Sequence, residues 1–224
     1  MTTKIIAISD IHCEPLQNIL GDTKADLLII AGDMTYRGTV KEMSKFFKQL
    51  DEANNNFKFG SVMIYGNHEL GPEKDPDLFE SMLPTNTKLL HNTEIVINGL
   101  RIWGNPFTTR FYDWAFNVGH KEIRKVWEQI PEGLDILISH GPPNFLHHGV
   151  GLDKNLAGDH CGDVELESIV CREMVKPPKV HYFGHIHSNK SNERFYDNGR
   201  TKFYNISVMN EHYDPEWGPT VCYL

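Results

Sequence analysis

Apolar residues along this chain come in short runs that stop abruptly at polar ones. Lys4–Ser9, Leu27–Ala31, Val62–Tyr65, Leu134–Ser139 and Val180–Phe183 are each rich in aliphatic and β-forming residues. Runs of this kind predict strands buried on both faces, as in sheets covered by helices. After the second run, Thr39 and Glu42 fit a capping box, and Met43, Phe46, Phe47 and Leu50 fall on one face of a helix. Short helices are expected over Glu14–Leu20 and Leu78–Leu83, the latter following a two-proline loop at Gly71–Asp77. His120–Ile130 predicts a longer helix, with Ile123, Val126, Trp127 and Ile130 as its apolar face. Asp163 suits the N-cap of a helix running towards Val175, which Pro177-Pro178 must stop.

Two Asn-Gly pairs punctuate the rest. Asn98-Gly99 separates Glu94–Ile97 from Leu100–Trp103, and Asn198-Gly199 separates Glu193–Asp197 from Thr201–Asn205, so both read as hairpins. Asn105–Asn117 is aromatic-rich and irregular, Phe145–Gly162 is a glycine-rich loop, and Thr220–Leu224 is a last strand able to close a sheet. Strands alternating with helices early, then hairpins late, predict one α/β domain over 1–224, built on mixed β-structure in two packed sheets. No linker interrupts it.

Composition narrows the class. A chain of 224 residues holds one sizeable core or two small ones, and 40% hydrophobic with 23% charged residues is ordinary for a globular protein. The net charge of -8 argues against long nucleic acid as a partner, which would call for a basic face. Two divalent cations would offset half of that charge locally, so a phosphate ligand stays open. The apolar run before Asp10 is too short for a signal segment, and no stretch is long enough to span a bilayer. Cys13, Cys161, Cys171 and Cys222 are scattered without a C-x-x-C pair, which predicts free thiols and a cytoplasmic setting.

The candidate chemistry lies where the runs stop. Asp10 and His12, Asp33, Asn67, His140, and His185 with His187 all follow strand-like segments. At an extended strand end, residues two apart point to one side, so each such pair is expected to converge on one ion. Carboxylate, imidazole and amide oxygen suit Zn, Mn or Fe, and the absence of thiolates argues against a structural zinc site. Seven ligands exceed one tetrahedral ion. Two ions sharing Asp33 would use all seven, and a pair roughly 3.5–4 Å apart is machinery for in-line displacement at phosphorus. His91, His120, His160, His181 and His212 are read as surface or core histidines. Among loop aromatics, Phe107, Tyr112, Trp114 and Phe145 either stack a nucleobase or pack the sandwich edge; His147 and His148 are weaker candidates for substrate contact.

The succession Asp10-x-His12, Gly32-Asp33, Gly66-Asn67-His68-Glu69, Ser139-His140-Gly141 and Gly184-His185-x-His187 resembles the motifs of the calcineurin-like metallophosphoesterase family. Trp114-Ala115-Phe116-Asn117, His140-Gly141-Pro142-Pro143 and Cys161–Leu166 are similar to the branch called metallophosphoesterase-domain-containing proteins. The resemblance implies a β-sandwich of two mixed sheets flanked by helices. It further implies that Asp10, His12 and His187 hold one metal, that Asn67, His140 and His185 hold the other, and that Asp33 stands between them. His68 corresponds to the family's catalytic histidine. Some members of the branch lack the last histidine of Gly-His-x-His; His187 is present here, implying a complete site. The implied cofactor is two divalent ions, Mn2+ first, with Fe, Zn, Mg or Ni as alternatives.

One departure stands out. Several family phosphatases read Gly-Asp-x-x-Asp-Arg-Gly, whose second Asp orients the catalytic histidine, whereas Tyr36 occupies that place in Gly32–Gly38. Arg37 matches the family's phosphate-binding arginine and can fork onto a phosphoryl oxygen, or else it is a solvated arginine before the Thr39 cap. The function expected is therefore phosphodiester hydrolysis by a metal-bridging hydroxide, with His68 as acid and Arg37, Asn67 and His68 meeting the substrate. The suspected branch points to 2′,3′- or 3′,5′-cyclic nucleotides. A phosphomonoesterase, a metal-dependent nuclease and a non-catalytic metal-binding scaffold are the alternatives.

Overall fold

The structure is a computed structural model and describes residues 2–187 and 193–224. In chain order its elements are β1 (Lys4–Ile8), α1 (Leu16–Leu20), β2 (Leu27–Ala31), α2 (Val40–Asn54), β3 (Ser61–Ile64), α3 (Leu70–Lys74), α4 (Pro76–Ser81), β4 (Thr87–Leu89), β5 (Thr93–Ile97) and β6 (Leu100–Asn105). There follow β7 (Thr108–Thr109), β8 (Asn117–Val118), α5 (Ile123–Trp127), β9 (Ile136–Ser139), α6 (Val164–Glu167), β10 (Val180–Phe183), β11 (Phe195–Asp197), β12 (Lys202–Asn205) and β13 (Thr220–Tyr223).

Two large sheets result, ordered β13-β1-β2-β3-β4 and β11-β12-β10-β9-β6-β5. In the first, β1 to β4 are parallel and β13 joins β1 antiparallel. In the second, β6, β9, β10 and β12 are parallel, with β5 and β11 antiparallel at the edges. Both sheets are thus mixed, as expected.

Strand alternation sorts the apolar runs into three layers of core. Ile5, Ala7, Ile29 and Val62 face inward and meet Ile102, Ile136 and Tyr182 of the other sheet. Their neighbours Ile6, Ile8, Leu28 and Ile30 face outward and carry α1 and α2 through Leu16, Phe46, Phe47 and Leu50. On the opposite outside, Trp103, Leu137 and Phe183 lie beneath Trp127, Leu166 and Val170. Burial on both faces is why the runs lack polar alternation.

Local signals hold where a side chain enforces them. The capping box is present: Thr39 Oγ1 accepts from the Glu42 amide, and the Glu42 carboxylate accepts from the Thr39 amide. Asn98 and Gly99 both have positive φ, 50° and 81°, the mark of a tight hairpin turn. The second hairpin is looser, because Asp197 pairs with Lys202 and leaves four residues between the strands. There the Asn198 side chain accepts from the Arg200 and Thr201 amides, so a side-chain turn replaces the two-residue one.

Other expectations shift. Gly71–Asp77 is largely helical rather than loop, since Pro72 and Pro76 fall in the first turns of α3 and α4, where proline costs no hydrogen bond. The helix expected over His120–Ile130 shortens to five α-helical residues. Asp163 does cap α6, accepting from the Glu165 and Leu166 amides, but the helix then widens into a π-helical stretch, Ser168–Glu173. β4 went unread because only three residues pair, and the β7–β8 pair lies in the aromatic stretch read as irregular.

Candidate metal centre

The C-terminal ends of β1, β2, β3, β9 and β10 meet, and the polar residues that follow them form two touching groups. Asp10, His12, Asp33 and His187 make one, and Asp33, His140 and His185 make the other, with donor atoms in each group within 4.8 Å of one another. Asn67 joins the second through Oδ1, 2.9 Å from His140 Nε2. Asp33 Oδ2 lies 3.2 Å from His140 Nε2 and 3.9 Å from His12 Nε2, so this one oxygen stands between the groups. His185 and His187 go to different groups, one to each. The expected extended geometry is corrected here: Asp10, His12, Asp33 and His185 have φ of 56°, 44°, 54° and 68°. Left-handed turns, not strand alternation, aim these side chains.

Strain of this kind, about 1–3 kcal/mol per residue, persists only where the surroundings over-determine it. Here they do. The buried Glu69 carboxylate accepts from the amides of Gly66 at 2.8 Å, Asp33 at 3.0 Å and Thr35 at 3.1 Å, and from the Thr35 hydroxyl at 3.0 Å. One side chain thereby ties the turn after β2 to the turn after β3. Asp10 holds the His185 amide on both carboxylate oxygens at 3.0 Å, and Asp33 Oδ1 holds the His68 amide at 2.9 Å. Gly66 and Gly184 are required by proximity, because a Cβ on either would collide with the Asp33 or Asp10 carboxylate.

The ring hydrogens decide what the centre wants. His12 Nδ1–H donates to the Thr35 carbonyl at 3.2 Å, His140 Nδ1–H to the Ala31 carbonyl at 2.8 Å, and His187 Nδ1–H to the Asn210 carbonyl at 3.2 Å. A neutral imidazole so engaged presents a lone pair at Nε2. Yet His12 Nε2 faces His187 Nε2 at 3.0 Å, and His140 Nε2 faces the oxygens of Asn67 and Asp33. Acceptors confront acceptors in a buried place. Only protons or cations between them relieve that, and the donor set of carboxylates, imidazoles and an amide suits a divalent metal.

Electrostatics agree. Burial disfavours charge on His140, but the Asp33 carboxylate outweighs it and raises the ring to about 9. Burial would push Asp10 and Asp33 up; instead the facing histidines, His187 on Asp10 and His140 on Asp33, hold both well below the carboxylate range. Burial takes His12 down to about 4, and burial with the charge of His140 takes His185 down to about 3. Two carboxylates stay ionised and the rings of His12 and His185 stay neutral, while the proton that Asp33 holds on His140 stands between acceptors, where a cation would replace it.

The family model for calcineurin-like phosphoesterases matches residues 3–189. Metallophosphoesterase domain-containing protein 1 of Homo sapiens is 33% identical over 248 residues, spanning 99% of this chain and 71% of that protein. This chain belongs to the calcineurin-like phosphoesterase family. UPF0046 protein C25E10.12 of Caenorhabditis elegans is 34% identical over 234 residues, covering 95% of this chain and 79% of its own length. The solved structure of TT1561 of Thermus thermophilus shares the fold, with a TM-score of 0.57 at 15% identity over 92% of this chain and 89% of that one. Membership in the calcineurin-like phosphoesterases makes the chain a metal-dependent phosphoester hydrolase with a divalent-metal centre.

Further candidate residues lie around the same two groups. His68 Nδ1–H donates to the Tyr36 backbone carbonyl at 2.9 Å, while its Nε2 lies 3.9 Å from Asp33 Oδ2. The main chain at position 36, and not the Tyr36 side chain, thus orients the ring. Trp114 stacks on His68 with centroids 4.3 Å apart, and the Arg37 guanidinium sits 5.1 Å above Trp114. Arg37 is therefore drawn to the aromatic face, outside the lining of the cavity onto which the centre opens. That cavity, about 290 Å³, is walled by Asp33, Asn67, His68, His185 and His187 and by Phe111, Tyr112, Trp114 and Tyr213. Tyr213, whose ring centroid is 4.6 Å from that of His12, carried no motif and was missed, as were Glu69 as a clamp and the Tyr36 carbonyl.

The remaining candidates disperse. Phe145 is fully buried in the core, and Tyr112 is 85% exposed. His148 pairs with Glu167 at 2.8 Å, and His160 with Asp153 at 2.7 Å. Cys13 turns away from the ligands toward Glu42, and all four cysteines are free. No helix among the described residues is long and apolar enough to cross a membrane.

Proposed function

We propose that this protein hydrolyses small phosphodiesters, cyclic nucleotides among them, at a centre of two divalent cations for which manganese is the expected ion. In this reading Asp10, His12 and His187 hold one cation, Asn67, His140 and His185 hold the other, and Asp33 contacts both. The observation that carries it is the confrontation of imidazole lone pairs and carboxylate oxygens around Asp33 Oδ2. Bound cations supply Lewis acidity to the phosphoryl oxygens and make water a stronger acid.

The chain's own groups supply the rest. His68 keeps its Nδ1 proton on the Tyr36 carbonyl, so Nε2 is the nitrogen that exchanges protons on the cavity side. Protonated there, it donates to the departing ester oxygen and returns to the neutral ring. Its backbone amide, pinned to Asp33, and the Trp114 face keep the ring from turning. Asn67 lies in the same wall and can position a phosphoryl oxygen. Arg37 lies over the Trp114 ring outside the cavity lining, and we assign it to a phosphoryl oxygen of the bound ester once its guanidinium swings off that ring. Aromatic walls beside the centre support esters with flat organic groups over inorganic or protein-borne phosphate. The free thiols support a cytoplasmic setting.

The test is a panel of phosphoesters with protein reconstituted separately with Mn, Zn, Fe and Mg. Hydrolysis of bis-aryl phosphate in preference to mono-aryl phosphate is expected. Preference for the monoester would replace the diesterase with a phosphomonoesterase, and inertness with every metal would leave a metal-binding scaffold.

A further inference from the structure

A second chamber, about 320 Å³, adjoins the cavity over the metal centre. Phe111, His185 and Ile186 belong to the walls of both, so the chamber begins where the second ligand group ends. The rings of Phe111 and His185 meet edge-on with centroids 4.9 Å apart. Beyond them the walls are Phe107, Trp127 and Pro142. Arg110, His120 and Cys161 at the rim are exposed, so this is a recess open to solvent and not a packing gap.

Its polar groups tell what it does not take. Asp163 lines it, but both carboxylate oxygens are occupied: Oδ1 by the Glu165 and Leu166 amides, Oδ2 by the Thr109 hydroxyl and the Trp127 indole N–H. A saturated carboxylate offers no acceptor to a ligand and repels an anion. The carboxylate of the lining is thus already satisfied, and a neutral flat group finds aromatic walls in Phe107, Phe111 and Trp127. The Arg110 guanidinium has no ion-pair partner among the described residues and can meet the polar edge of such a group.

From this geometry we infer that the chamber is a substrate subsite taking a flat aromatic group esterified to the phosphorus, such as a nucleobase-bearing or aryl group. The inference rests on the diesterase reading for its consequence in turnover, but not for binding. It makes Phe107, Phe111 and Trp127 determinants of which diesters are preferred.

The test uses p-nitrophenyl phosphodiesters whose second ester group is methyl, phenyl or thymidine-5′, so that the leaving group is constant. Stacking of one ring predicts kcat/KM about tenfold higher for the phenyl or thymidine ester than for the methyl ester. The thymidine and phenyl arms separate nucleobase from simple aryl recognition. Cys161→Trp, which fills the recess from its exposed rim, should bring that ratio close to one. Should Cys161→Trp fail to fold, alkylating Cys161 of the folded protein with N-benzylmaleimide, with Cys161→Ala as the unlabelled control, does the same. A ratio near one in the wild type, or one unchanged by filling, overturns the subsite. Saturation-transfer NMR of thymidine and phenol with protein lacking added metal reads occupancy without turnover. Signals lost on filling support the chamber, and signals that persist overturn it. If none of the esters is hydrolysed with any metal, the diesterase reading falls, and the NMR arm still decides the chamber.

Discussion

His68 shows how much a single side chain can reveal and where that stops. Its position after Asn67 marks it, since a histidine beside a candidate ligand but outside both candidate groups is free for proton transfer. His68→Ala is expected to lower kcat by about 10²–10⁴-fold, the worth of a positioned general acid, with metal content unchanged by elemental analysis. Turnover within a few-fold of wild type would remove His68 from the chemistry. What holds the ring could not be read beforehand, because the acceptor is the Tyr36 carbonyl. Every residue carries a carbonyl, so no residue type signals one. Glu69 was equally opaque: a carboxylate in the right motif, whose buried clamp on Asp33, Gly66 and Thr35 exists only once two turns are adjacent.

At the scale of elements, local rules fared best where one side chain satisfies a backbone group nearby. Thr39→Ala removes the cap of α2 and should lower stability to denaturant by about 1 kcal/mol, leaving kcat untouched. A loss of activity larger than the loss of folded protein would contradict a purely local role. Asp135, just before β9, accepts from the Lys179 ammonium at 2.8 Å and from the Arg101 amide at 2.8 Å, and so ties the starts of β6, β9 and β10. Burial alone would raise its carboxyl, but these partners hold it below the ordinary value. A depressed carboxylate stabilises the fold above its unfolded pKa and loses that contribution as pH falls through the folded one. Asp135→Asn should therefore cost about 1 kcal/mol at neutral pH, with the gap to wild type closing below about pH 4, as followed by urea melts. Helix lengths fared worse. α5 is shorter than its apolar spacing implied, and the helix capped by Asp163 changes from α to π at Ser168 before it ends at Glu173.

For the molecule as a whole, the centre is also a source of stability. Two ionised carboxylates, Asp10 and Asp33, are buried among imidazoles, and among the described residues neither is ion-paired to a guanidinium or ammonium. Cations bound there favour the folded chain. At a hundredfold excess over Kd, one site contributes about 2.7 kcal/mol. Chelation should lower the Tm and Mn2+ should restore it; a melting curve indifferent to both would remove the metal from the fold's energetics. The same assembly explains why the two sheets were foreseeable and their register was not. Apolar runs specify that strands are buried, whereas the order β11-β12-β10-β9-β6-β5 follows from crossovers that no local pattern encodes.

By itself the sequence determined which side chains are available for chemistry, where strands stop, and that the family's ligand types stand in order. Residue identity and spacing are local properties, and short-range physics reads them. Only the tertiary structure decided that left-handed turns aim Asp10 and Asp33, that the Tyr36 carbonyl holds His68, and that a recess opens beside His185. Those facts depend on contacts between residues far apart in the chain, whose energies exist only after the two sheets have packed.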